Sequence, residues 1–183
     1  MPAWFNDTQR YGLAAVLLHW GMAAVLAVLV AMGLYMVALP DAGYDQLKIT
    51  LILVHKGLGM VAFALAVVRI AWRWVNPLPA LVAHLPAWQQ VAARVVHLCF
   101  YALMVLLPLT GWAMSSAGGY PVPVFGWFSL PPLLGLHPRL FDALTVLHRW
   151  LADALLGLLA LHAGAALDHH LRHRDDTLLR MLP

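Results

Sequence analysis

Residues 145–164, TVLHRWLADALLGLLALHAG, hold one arginine, one aspartate and two histidines, and are otherwise a continuous apolar stretch. A run of this kind reads as a helix crossing a hydrocarbon core, where ionisable side chains are rare and have a use. At about 100° per residue, the separation of His148 and His162 turns through about 1400°, about 40° short of four full turns, so both rings leave the helix on one side. Their spacing along the axis is roughly 21 Å, which places them near opposite ends of the core.

The rest of the chain has the same character. Of 183 residues 63% are hydrophobic and 10% charged, with no glutamate, which is the composition of a membrane protein rather than of one soluble domain. Net charge is +3, but the basic residues are scattered around apolar spans and form no stripe that would suit a nucleic acid. Cys99 stands alone, so there is no disulfide framework, no CxxC metal spacing and no CxxCH for covalent haem attachment; packing is its expected role. The start, MPAWFNDTQRYG, lacks the order of a cleaved signal peptide, so the first span is expected to remain in the mature protein.

Four apolar runs follow, about 13–39, 50–74, 95–115 and 144–168. Between the third and fourth lies SSAGGYPVPVFGWFSLPPLLGLHPR, whose prolines exclude a regular crossing helix and whose aromatics suit the headgroup interface. Arg10, Arg69, Arg73, Arg94, Arg172, Arg174 and Arg180 border the termini and the second connection, whereas the first connection holds Lys48 against Asp41 and Asp45. The positive-inside rule then predicts both termini and the second connection in the cytoplasm. Residues 1–183 are expected to form one all-α domain, a four-transmembrane-helix bundle.

Depth pairs the histidines. His19 lies near the cytoplasmic end of span one, level with His162; His55 lies near the opposite end of span two, level with His148. Two facing imidazoles at one depth are what a bis-histidine haem needs, each neutral ring offering one nitrogen to iron, while zinc would need further ligands at that depth. A single intramembrane histidine serves as readily as an interhelical hydrogen-bonding group, and that alternative stands beside the ligand reading for each ring taken singly. Gly21, Gly57, Gly59, Gly157, Ala163 and Gly164 are small neighbours that leave room for flat macrocycles.

The segments LLHWG, LVHKGLGMVAFALAVVRIAWRWVNPLP, HLCFYALMVLLPLTGW, LHRWLADALLGLLALHAGAALDHH and DDTLLRMLP occur in this order over nearly the whole chain. As a set they resemble the bacterial cytochrome b561 family of membrane dihaem proteins, and within it the small four-helix members typified by superoxide oxidase. The resemblance implies two haem b groups with His19, His55, His148 and His162 as axial ligands, and a path for electrons from superoxide at the periplasmic face to ubiquinone.

Other residues are candidates by position. His97 near the cytoplasmic end of span three reads as a propionate or quinone contact, or as an interfacial hydrogen-bonding group, and competes with His19 for the inner haem. His169 and His170 mark a solvated helix end or a proton supply to the quinone; Arg69 and Arg73 either snorkel to headgroups or hold propionates. Lys56 and Arg149 belong to a weak positive excess at the outer face that would steer superoxide, although Arg149 is also spaced to pair with Asp153. Two rival readings remain: an electron-transfer subunit docked to a dehydrogenase or hydrogenase, and a histidine-lined metal transporter.

Overall fold

The structure, a computed structural model, describes residues 4–40, 45–80 and 86–182; Asp41, used in the charge count above, and Pro183, the last residue of the tail motif, lie outside them. The described residues form helices α1 (Leu13–Ala38), α2 (Gln46–Val75), α3 (Ala87–Ala117) and α4 (Pro138–Asp168). Strands β1 (Val122–Val124) and β2 (Phe128–Leu130) pair antiparallel between α3 and α4. A π-helical turn, His169–His173, prolongs α4, and a 3-10 turn, Leu179–Met181, follows in the tail.

All four helices are long and apolar enough to cross a membrane. Three of them begin before the apolar runs that announce them. The apolar run marks the hydrocarbon crossing, whereas the helix starts at a capping residue in the interface. Asp45 accepts from the amides of Leu47 and Lys48 at the start of α2. The His137 ring accepts from the Leu140 amide at the start of α4, where Pro138 has no N–H to leave unpaired.

The helices pack in chain order, α2 between α1 and α3, and α3 against α4. Met22, Leu26, Ala66, Leu103, Met104 and Leu155 form one buried cluster. Leu155 is midway in sequence between His148 and His162, so this cluster closes the bundle at mid-depth. Leu17, Val28, Leu34, Val67, Leu98, Leu106 and Leu161 are exposed on the outside. In water such a surface would aggregate; against lipid tails it is the expected face. Cys99 is exposed too, so it faces outward with these side chains rather than into the bundle.

The all-α expectation misses a small sheet. Beyond Ala117 the chain reverses through Gly119 at φ 73°, and β1 and β2 are joined by Phe125, Gly126 and Trp127, the first two at φ 51° and 80°. The Trp127 amide closes this turn on the Val124 carbonyl at 3.0 Å. The connection is tied back to α3 by Trp112 Nε1 donating to the Pro131 carbonyl and by the Leu133 amide donating to Ser116 Oγ, each at 3.0 Å. This is the hairpin end of the bundle.

At the other end, the termini end, three distant segments clasp one another. The Ala80 amide donates to the Thr8 carbonyl at 3.0 Å, and Phe5 stacks on Trp72 with centroids 5.5 Å apart. Arg180 donates to the Ala80 carbonyl at 2.7 Å, and Trp20 Nε1 donates to the Met181 carbonyl at 2.5 Å. The tail thus returns under the helices that precede it.

Candidate functional site

The four histidines singled out by depth meet in the two combinations expected. The ring centroids of His55 and His148 are 6.4 Å apart at the hairpin end, and those of His19 and His162 are 6.2 Å apart at the termini end. A metal–imidazole bond of about 2 Å and a ring radius of about 1.1 Å put two rings that hold one ion from opposite sides with centroids roughly 6.3 Å apart. Both pairs fit a bis-histidine centre by this measure. His97 also lies beside His162, at 5.7 Å, which is closer than two opposed ligands stand and makes His19 the better partner.

The small residues fit in part. A Cβ placed on Gly21, Gly59, Gly157 or Gly164 would meet nothing within 4 Å, so open space adjoins each. Gly57 differs: the ring of Phe125 covers it, 3.2 Å from the position of such a Cβ.

Hydrogen bonds distinguish the two pairs. Thr110 Oγ1 donates to the Leu107 carbonyl at 2.9 Å and lies 3.0 Å from His148 Nδ1. With its one proton so used, the hydroxyl accepts from Nδ1–H, which leaves Nε2 of His148 with its lone pair free, the form a metal ligand requires. The need for such a group was missed in sequence. A polar residue inside span three, in LPLTGW, was the available signal. His55 has no such support, because its Nδ1 is buried without a hydrogen-bond partner.

At the termini end the donor is cationic. Arg69 Nη2 stands 3.1 Å from His19 Nδ1, and because guanidinium only donates, Nδ1 is the acceptor and the proton sits on Nε2. Offering Nε2 to a metal therefore moves that proton to Nδ1 and frees Arg69 for another acceptor. Arg73 lies over the Tyr101 ring at 5.3 Å. Burial pushes the Tyr11 phenol up, against the opposing charges of Arg73, Arg69 and Arg180, so Tyr11 is a neutral donor among three arginines. Such a cluster suits a carboxylate or a quinone carbonyl.

The remaining candidates separate. His169 Nδ1 pairs with Asp175 Oδ2 at 2.5 Å where the tail turns back, rather than standing as a solvated helix end, whereas His170 is exposed. Lys56 Nζ donates to the Pro121 carbonyl at 3.0 Å. Arg149 is exposed, and the pairing with Asp153 that its spacing suggested is not among the ion pairs of the described residues.

The family model described as prokaryotic cytochrome b561 matches residues 10–183. Cytochrome b561 homolog 2 of Escherichia coli strain K12 is 35% identical over 97% of this chain and 93% of its own length. Cytochrome b561 homolog 1 of the same organism is 33% identical over 70% of this chain and 73% of its own. A protein of Yersinia pestis named probable superoxide oxidase CybB is 27% identical over 96% of this chain and 97% of its own. Together with four membrane-length helices, these matches place the chain in the prokaryotic cytochrome b561 family, as a multi-pass membrane protein of electron transfer that binds haem b.

Proposed function

We propose that the chain holds two haem b groups, one between His55 and His148 and one between His19 and His162, and works as a superoxide:ubiquinone oxidoreductase of the bacterial inner membrane. The observation that carries this reading is the pair of matched spacings, 6.4 and 6.2 Å, at opposite ends of one bundle. The relative named probable superoxide oxidase supports the choice of donor. The hairpin end is then periplasmic and both termini are cytoplasmic, as the distribution of arginines suggests.

Bound in these places, haem supplies one-electron transfer. The chain's own contributions are separate. Thr110 keeps the Nε2 lone pair of His148 free, and the central apolar cluster keeps water out of the layer between the pairs. Lys56 and Arg149 put positive charge at the outer face, where it raises the encounter rate of a small anion. Arg69, Arg73 and His97 hold acceptor groups at the inner face, and His169 is placed to pass protons there. In the net reaction two superoxide ions lose one electron each and leave as two O2, while ubiquinone gains those two electrons and two protons to become ubiquinol.

The apolar cluster between the two pairs is also the feature that disfavours a metal transporter, since the residues that form it offer no charged or imidazole ligand to a passing ion. The test is a pyridine haemochrome assay on the detergent-purified protein, followed by superoxide-driven reduction. Two haem groups per chain, reduced by superoxide without a partner protein, is the expected result. A well-folded preparation made with haem available but holding none would overturn the reading; reduction only with an added dehydrogenase or hydrogenase would transfer it to the electron-transfer-subunit alternative.

A further inference from the structure

The two histidines of the hairpin end are held in different ways. His148 has Thr110 to orient it, but His55 has a buried Nδ1 with no hydrogen-bond partner, so no hydrogen bond at that nitrogen orients its ring. Its place then depends more on the position of α2, and α2 is gripped at the next two residues. Lys56 Nζ donates to the Pro121 carbonyl at 3.0 Å and sits over the Tyr120 ring at 5.5 Å. Phe125 presses on Gly57, where a Cβ would lie only 3.2 to 3.4 Å from its ring.

Direction matters here. Lys56 projects about 100° and Gly57 about 200° round the helix from His55, so the hairpin grips α2 from the side and the back, away from the ring of His55. Phe125 adopts φ 51° to do this, a left-handed conformation that is strained for a bulky residue and persists only where neighbouring structure holds it. A cavity of about 430 Å³, bordered by Ser116, Tyr120, Val122, Leu130 and Leu136, adjoins the hairpin. Val122 of β1 is nevertheless buried, so the strand is seated against the helices as well as held by its hydrogen bonds.

We propose that the β1–β2 hairpin is the positioning element of His55, with Lys56 and Phe125 pinning α2 so that the His55 ring stands opposite His148. The inference rests on the reading of His55 as an axial ligand. It gives Lys56 a role that does not depend on its charge reaching a substrate: it is the pin between α2 and the connection that follows α3. The same helix α3 then supports both histidines of the pair, His148 through Thr110 and His55 through the hairpin.

The experiment compares the haem-loaded full chain with K56M, K56R and F125A. Hydrogen exchange of the hairpin amides reads the pin, and the low-spin EPR signal with the midpoint potential of the hairpin-end haem reads the ligand geometry. K56M is expected to speed hairpin exchange about tenfold, as loss of a hydrogen bond from a charged donor predicts. It should also shift the signal and potential of that haem alone. F125A should act in the same direction, and K56R, which keeps the donor, should restore both readouts. Faster exchange with an unmoved EPR signal and potential would overturn the positioning role, and unchanged exchange would overturn the pin. A fall in superoxide rate with both readouts unmoved would assign Lys56 to charge steering alone and likewise overturn the proposal. Wild-type protein lacking a hairpin-end haem would instead defeat the ligand reading, an outcome the exchange data distinguish because they do not depend on haem.

Discussion

The two ends of the bundle hold histidine pairs of nearly equal spacing, 6.4 and 6.2 Å, in surroundings of opposite chemistry. At the hairpin end a neutral hydroxyl accepts from His148 Nδ1. At the termini end a guanidinium donates to His19 Nδ1, with further arginines and a neutral tyrosine close by. The first arrangement already presents a ligand-ready nitrogen; the second presents one only after Arg69 turns to another acceptor. One spacing can thus serve two centres whose electronic properties differ, because the groups behind the ligands set basicity and local charge.

The largest test of this comparison removes one ligand from each end in turn. H148A is expected to lose the hairpin-end haem and keep the other, and H162A to do the reverse, read as haem content and as which spectral component survives. Loss of both from either variant would break the picture of two independent ends. Next comes T110V, which takes away the hydroxyl that accepts from His148 Nδ1–H. By the usual cost of removing such a support, haem affinity at the hairpin end should fall about 10- to 100-fold, measured by haem titration, with the termini end untouched.

R69Q probes the opposite chemistry. Removing a positive charge beside the termini-end pair should lower the midpoint potential of that haem, by an amount on the order of 1 kcal/mol. Redox titration showing an equal shift at both ends would mean that Arg69 acts through the fold rather than locally.

The smallest effect concerns the tail. Partial burial works to raise the Asp175 carboxyl, but hydrogen bonds from Thr177 and His169 outweigh it and hold it below the ordinary aspartate range. A depressed carboxyl contributes stability that is present above its unfolded value of about 3.9 and is lost as pH falls through the lower folded value. Amide protection in residues 175–182 should therefore hold at neutral pH and fall below about pH 4. D175N, by leaving His169 without its anionic partner, should loosen the same amides at neutral pH while leaving the hairpin end unchanged.

What could be read without tertiary contacts was periodic. His148 and His162 share a face because the helix repeats about every 3.6 residues, and their depths follow from the rise per residue. His19 and His55 match those depths for the same reason. Arg69 and Arg73 were legible as groups of the termini end from their place at the end of a span. Thr110, by contrast, is a partner of His148 only because α3 packs against α4, and nothing in its neighbours along the chain says so. Lys56 read as a surface cation, since the carbonyl it meets, that of Pro121, lies in a connection whose path its own prolines and glycines leave open.

The amino-acid sequence by itself determined the membrane class, the number of crossings and the depth of each histidine, because apolar length and helical pitch are local quantities. Tertiary structure alone decided which groups stand behind each histidine, that Phe125 and not a macrocycle meets Gly57, and that the tail closes on Trp20 and Ala80. Those contacts join residues far apart in the chain, and they depend on how four helices rotate and slide against one another, which no single helix can specify.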